Sequence, residues 1–356
     1  MKDINVDEVL ELLNSKEQEE EKTLNNFTVS GEYGFNSEEE SKAKKIDLKD
    51  LSISANKTEQ EKTESILSMI KSKPLSQFVA TQSTYYGTIE PLTLRDFMTI
   101  FNSNLETLEG KKMLVSTIYK KIKTTSCTPD SKMGFETWKE NTSLGDLQSF
   151  YYALYCATFP DRGSFSFVCP KCGNQIKYQL SNESLIQCTD NEYILNVRDL
   201  IKTDVHDLES MKKYSLLNEK TNDTFMAPSG DLAFMLSTPS IKTWLGIYEM
   251  IDEKTISAVG AELINEVMYI KNLYTKDKTT GEFIEHTDKK SILAIMSTIS
   301  PDDQLAIREE VYKRMEEQYV YYAIKNTKCD NCNHQMKEIA LNMEHLLFTL
   351  IFEKAY

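Results

Sequence analysis

The chain has 356 residues, 40% of them hydrophobic and 27% charged, with a formal net charge of −14. No run of 18 apolar residues occurs, which argues against a membrane-spanning helix. The acidic balance argues against nucleic acid as the main partner, because phosphate backbones are held by basic surface. Length alone suggests two or three domains.

The N-terminal stretch MKDINVDEVLELLNSKEQEEEK has acidic residues where a signal peptide needs a basic start and an apolar block, so export by that route is not expected. Residues 1–64 hold 17 acidic and 9 basic side chains, a net of −8, and few aromatic ones (Phe27, Tyr33, Phe35). Such a composition buries too little apolar surface to offset the entropy of ordering it. Two apolar clusters interrupt it, Val6 to Leu13 at helical spacing and Ile46 to Ile53. The segment reads either as a solvated tail or as an arm that docks these clusters on a partner and folds there.

From about Thr88 the pattern predicts ordered elements. PLTLRDFMTIFNS predicts a helix capped near Thr93, with Leu94, Phe97, Met98 and Phe101 on one face. GKKMLVSTIYKKIK predicts a second, buried through Met113, Leu114, Ile118 and Ile122. SLGDLQSFYYALYCATFPD gathers Leu144, Leu147, Phe150, Tyr151 and Leu154, and Pro160 stops it. SFSFVC and NQIKYQL alternate like strands on either side of a Cys-x-x-Cys turn. NVRDLI and DLESMKKYSLL predict short helices, and TFMAPSGDLAFMLSTP predicts a hairpin turning at Pro228-Ser229-Gly230-Asp231. From Ser240 to about Tyr319 the reading is mainly helical, with TISAVGAELINEVMYIKNLY as one helix and TTGEFIEH as a turn. VYYAIKNTKCDNC and HQMKEIAL then form a second hairpin, and MEHLLFTLIFEK a closing amphipathic helix.

The two cysteine pairs are alike beyond the cysteines. CPKCGNQIK and CDNCNHQMK both fit C-x-x-C-x-x-Q-[IM]-K, and each sits between strand-like stretches. Two such knuckles make a zinc ribbon, so Cys169, Cys172, Cys329 and Cys332 are the candidate ligands of one Zn²⁺. Gly173 and Asn333, each just after the second cysteine, suit a left-handed turn. Closing a loop of about 155 residues costs on the order of 4–5 kcal/mol. A structural zinc site supplies roughly 10–16 kcal/mol of apparent binding. Lys171, Lys177, Lys328 and Lys337 flank the knuckles and offset the charge of four thiolates. The other readings of the pairs are two unrelated motifs, a thioredoxin-like redox motif and an iron–sulfur centre with the same ligands. Cys127, Cys156 and Cys188 have no obvious pairing.

No reaction is legible. A catalytic zinc keeps a position open for water, and four cysteines close it. There is no GxGxxG, Walker loop, GxSxG or HExxH. The four histidines, His206, His286, His334 and His345, are scattered. Asp302-Asp303 suits the first turn of a helix. The pairs Tyr85-Tyr86, Tyr151-Tyr152 and Tyr321-Tyr322 read as packing. No catalytic or cofactor-binding residue is named beyond the metal ligands.

The order of these segments resembles the T4-type baseplate hub and hub-assembly proteins of contractile-tailed bacteriophages. The resemblance runs over roughly residues 85–356. It rests on PLTLRDFMTIFNS and DLQSFYYALYCATFP ahead of FSFVCPKCGNQIKYQL, then MAPSGDLAFML, then CDNCNHQMKEIALNMEHLLF. It implies a structural or assembly component of a phage tail baseplate and no enzyme. The implied partners are other baseplate or tail proteins, or further copies of the chain, with no small-molecule substrate. The implied location is the host cytoplasm during assembly, and the virion tail baseplate if the chain is retained there. Two other functions stay open on the residues: a zinc-ribbon regulator binding nucleic acid or polymerase, and a metal-dependent enzyme of unrecognised site.

The expected fold class is α+β, a mainly helical body with β-hairpins and a split zinc ribbon. The expected layout is an acidic arm over 1–84, a helical region over 85–163, the ribbon over 164–182 and 320–342, an inserted hairpin-plus-helical domain over 183–319, and a C-terminal helix over 343–356.

Overall fold

The computed structural model describes residues 58, 75–105, 107–128, 131–159, 163–188, 207–218, 224–251, 260–316 and 320–348. The acidic arm therefore lies outside the described residues up to residue 74, Thr58 apart, as do the segment NVRDLI and the end of the C-terminal helix. The chain is mixed α/β with several antiparallel sheets, and it divides into two compact units. Among the described residues, one comprises 58, 163–186 and 322–348, the other 75–159, 187–188, 207–218, 224–251, 260–316 and 320–321.

The larger unit begins with strands β1 (Ser76–Ala80) and β2 (Tyr85–Ile89), which pair antiparallel, Phe78 opposite Gly87. β1 falls inside the range expected for the arm. Its apolar residues alternate, with Phe78 and Ala80 buried and Val79 exposed, and five residues were too short a pattern to stand out beside the charged run. Helices α1 (Leu94–Phe101) and α2 (Leu108–Lys121) follow. Thr93 caps α1 as expected: its hydroxyl accepts the Asp96 N–H, while the Asp96 carboxylate accepts the Thr93 N–H at 2.7 Å. The expected face is corrected. Leu94 and Met98 are 69% and 47% exposed, while Ile100 is buried. On α2, Met113 is likewise exposed, while Leu114, Val115 and Ile118 are buried. Ile122 has left the helix. It opens strand β3 (Ile122–Thr125), the third strand of the sheet β1-β2-β3. Gly87 is required there, because a Cβ would lie 2.1 Å from the Thr124 carbonyl and 2.6 Å from the Phe78 ring.

Helices α3 (Phe135–Asn141) and α4 (Leu147–Thr158) complete this half. α4 packs on β1 and β2 and is apolar nearly all round, which suits a helix buried in a core. Leu147, Phe150, Tyr151 and Leu154 are buried as expected. Phe150 meets Phe78 at 4.6 Å between ring centroids and Trp138 edge-on at 5.6 Å. Each large side chain buried in this way contributes roughly 1.5–3 kcal/mol. The β1–β2 turn, Thr81 to Thr84, is buried although wholly polar. Its partner is Asp146, just before α4, whose carboxylate accepts Gln82 N–H at 3.1 Å, Ser83 N–H at 2.9 Å and the Ser83 hydroxyl at 2.6 Å.

The rest of the larger unit is built on a four-stranded antiparallel sheet, order β10-β9-β8-β7. Helix α5 (Leu208–Tyr214) precedes β7 (Thr224–Met226) and β8 (Leu232–Leu236), the expected hairpin. Then come α6 (Ile241–Met250), α7 (Ala261–Tyr269), β9 (Ile270–Lys276), β10 (Phe283–His286), α8 (Lys289–Met296) and α9 (Pro301–Glu316). The helical reading of AELINEVMYIKNLY is corrected here. The helix stops at Tyr269 and IKNLYTK is a strand between β8 and β10; TTGEFIEH is the hairpin turn and the edge strand β10. Ile270 and Leu273 are three residues apart, a helical spacing and not the alternation of a strand, so periodicity favours the wrong element here. Phe234, Ile264, Val267, Ile270, Leu273, Ile292 and Val311 form the core of this half.

The smaller unit contains the two cysteine hairpins. One is β4 (Gly163–Val168) with β5 (Gln175–Leu180); the other is β11 (Val320–Lys328) with β12 (Gln335–Ala340). β6 (Ile186–Cys188), at the margin of the unit, pairs with β11. Phe165, Phe167, Ile176, Ile324, Met336 and Ile339 are buried. A helix over 343–348 follows, buried through Met343, Leu346 and Leu347.

Candidate metal centre

The first hairpin is regular up to its last strand pair, Val168 with Gln175; the second ends on Lys328 with Gln335 but is interrupted at Asn326, which has φ 57° and is missing from the pairing. Six residues then make each turn, and the two turns carry the same hydrogen bonds. The N–H of Cys169 donates to Asn174 O at 2.8 Å, and that of Cys329 to His334 O at 2.9 Å. The N–H of Gly173 donates to Cys169 O and that of Asn333 to Cys329 O, both at 2.9 Å. Gly173 has φ 69° and Asn333 φ 56°. This left-handed station brings the chain back sharply, so both sulfurs of each turn lie on one side.

The four sulfurs, Sγ of Cys169, Cys172, Cys329 and Cys332, lie within 4.8 Å of one another. The pairs Cys169–Cys332 and Cys172–Cys329 are each 3.6 Å apart. A disulfide would need about 2.05 Å, and all four thiols are free. Zn²⁺ held tetrahedrally at about 2.3 Å from sulfur puts its ligands roughly 3.8 Å apart. The donor set and its spacing therefore fit a thiophilic metal ion. Among the described residues no other cluster of His, Cys, Asp or Glu has this property.

The site is buried on one side only. Cys169 and Cys329 are 1% and 0% exposed, whereas Cys172 is exposed and Cys332 half-buried. The Asn174 N–H and the neighbouring thiols hold Cys172 down to about 6. At Cys332 the His334 N–H also favours the thiolate, but burial and the competing thiols of Cys172, Cys169 and Cys329 push it up to about 12. Cys172 and Cys332 are thus driven in opposite directions by the same neighbouring sulfurs. A divalent cation bound among them would offset that competition. Lys171, Lys177, Lys328 and Lys337 are exposed around the turns, and Lys325 pairs with Glu338 at 3.7 Å. The sequence reading missed Asn331, whose side-chain amide reaches across from one turn to donate to Sγ of Cys172 in the other at 3.7 Å. Nothing in the repeat marks it, since Lys171 holds the matching place.

The other residues singled out are dispersed. Cys127 is buried and Cys156 half-buried; the Cys188 side chain and His206 lie outside the described residues. His286 meets the Thr275 hydroxyl at 2.9 Å, His345 is exposed, and His334 contributes its backbone to its turn. Asp302 and Asp303 stand in the first turn of α9, where Asp303 accepts Ser229 N–H at 2.9 Å. Tyr85, Tyr151, Tyr152 and Tyr322 are buried. No protein-family model, curated protein or solved structure matches this chain.

Proposed function

We propose that this chain is a non-catalytic assembly protein whose two hairpins form a split zinc ribbon around one structural Zn²⁺. The observation that carries the reading is the four-thiol cluster itself, with sulfurs from hairpins more than 150 residues apart gathered within 4.8 Å. Four thiolates complete a tetrahedron and leave no position for water, so the ion's binding energy goes into folding. Iron in the same thiolate cage is the competing occupant; it would colour the protein, whereas zinc would not.

The order and spacing of the segments over residues 85–356 support a place in the baseplate of a contractile phage tail, in or near the hub, reached through contacts with other tail proteins or further copies of the chain. Mass spectrometry of purified virions tests this, together with elemental analysis of the isolated chain. The expected results are peptides of this chain in the tail fraction and a zinc ratio near one. Absence from virions and from assembly intermediates would remove the baseplate reading. A metal-free native protein would remove the zinc. Deleting residues 1–64 is expected to leave metal content unchanged and weaken incorporation, as docking through linked weak segments requires.

A further inference from the structure

We propose that the four-thiol centre is also an oxidation site, at which a hydroperoxide converts the metal clamp into disulfides that tie the same two hairpins together. The proposal rests on the zinc reading for the ion released, while the cysteine connectivity it specifies does not depend on that ion.

The geometry makes the two ends of the site unequal. Cys169 and Cys329 are closed off, and Cys172 is the exposed sulfur. Each close pair joins a buried sulfur of one hairpin to a more accessible sulfur of the other, Cys329 with Cys172 and Cys169 with Cys332, both at 3.6 Å. An oxidant from solvent therefore meets Cys172 first, and the sulfur standing next to it belongs to the opposite hairpin.

The chemistry balances with hydrogen peroxide as the oxidant. The Cys172 thiolate attacks the O–O bond, takes one oxygen to become a sulfenic acid, and releases hydroxide. The Cys329 thiolate then attacks the Cys172 sulfur, forming the S–S bond and expelling a second hydroxide. Two sulfurs have each lost one electron and the peroxide has gained two. A second peroxide does the same at Cys332 and Cys169. Disulfide sulfurs are poor zinc ligands, so the ion departs as Zn²⁺. Both new bonds cross between hairpins, so the covalent connection replaces the ionic one. Asn331 bears on the rate: its amide donates to Cys172 Sγ at 3.7 Å and ties up electron density that the attack needs.

The test uses the full reduced chain, titrated with hydrogen peroxide under a chromogenic zinc chelator, then alkylated and mapped by peptide mass spectrometry. The expected result is one zinc released for two peroxides consumed, with Cys172 joined to Cys329 and Cys169 to Cys332. Asn331→Ala keeps every thiol and should release zinc severalfold faster. Bonds within one turn, Cys169 to Cys172 or Cys329 to Cys332, would overturn the proposal, as would overoxidised or unmodified thiols after peroxide. If the reduced chain carries no metal, the zinc reading fails, and the connectivity alone decides for or against the oxidation site.

Discussion

Gly173 and Asn333 occupy the same station in their two turns: each follows the second cysteine, each has positive φ, and each donates its N–H to the carbonyl of the first cysteine at 2.9 Å. The equivalence comes from geometry, since the two residue types share only a tolerance of the left-handed region. At Gly173 a Cβ would meet nothing within 4 Å, so Gly173→Ala changes backbone energy alone and should cost about 1 kcal/mol. Asn333→Gly should be nearly neutral. Asn333→Val, branched at Cβ, should cost about 1–2 kcal/mol. Urea denaturation of the metal-loaded chain measures all three. A Val at 333 without loss would mean that the turn does not hold this conformation.

The cluster also sets how metal loss should behave. Because each hairpin supplies two sulfurs and the close pairs run between hairpins, no half-site remains when one hairpin is disabled. Cys332→Ser alone should lower zinc content well below one per chain. A strong chelator should lower the melting temperature and open both hairpins to protease. Full metal retention in a Cys329→Ser/Cys332→Ser double variant would instead point to a site shared between chains.

The knuckles were legible because metal ligation needs particular atoms at fixed spacing, and C-x-x-C-x-x-Q-[IM]-K repeats it twice. The helix start near Thr93 and the hairpin at Pro228 to Asp231 were legible for the same local reason. What escaped depends on distant partners. Ile270 to Lys276 is a strand because β8 and β10 lie on either side of it, and nothing within those seven residues says so. The exposed Leu94 and Met98 show the converse, an apolar stripe that local spacing marks for burial and the fold leaves outside. The polar turn Thr81 to Thr84 reads as surface, yet it is buried because Asp146, more than sixty residues later, accepts its hydrogen bonds.

Lys289 closes the end of α7. Its ammonium donates to the carbonyls of Val267 at 3.1 Å and Met268 at 3.3 Å, and to that of Ile270. These are the groups left without partners where the helix gives way to β9. Burial pushes the Lys289 ammonium down to about 8. With the folded value below the ordinary 10.5, the unfolded chain holds this proton more tightly, so stability from this group should rise between about pH 8 and pH 10.5. Lys289→Met should cost about 1–3 kcal/mol at pH 7 through the abandoned carbonyls. It should also lose that rise, as read by chemical denaturation at pH 7, 8.5 and 10.

Asp146 gives the opposite sign in a lower window. Burial raises its carboxyl to about 6 from 3.8, against the opposing pull of the Ser83 hydroxyl and the N–H groups of Gln82 and Ser83. Below about pH 4 the group is protonated in both folded and unfolded chain and contributes no pH dependence. Between about pH 4 and pH 6 the unfolded chain ionises first, so stability from this group falls as pH rises, by up to about 3 kcal/mol for a shift of about two units. Above pH 6 both forms are ionised and the curve is flat. Burial raises the Glu266 carboxyl beside Arg308 as well, so the test is the difference between two proteins. Asp146→Asn should remove this fall while leaving the remaining pH dependence in place. It also turns an amide NH₂ toward the donors of the Thr81–Thr84 turn, which should lower stability by about 1–3 kcal/mol at pH 4, where the native carboxyl is neutral. Urea midpoints of both proteins at pH 4, 5, 6 and 7 decide it: parallel curves would show that Asp146 ionises in the fold as readily as in water.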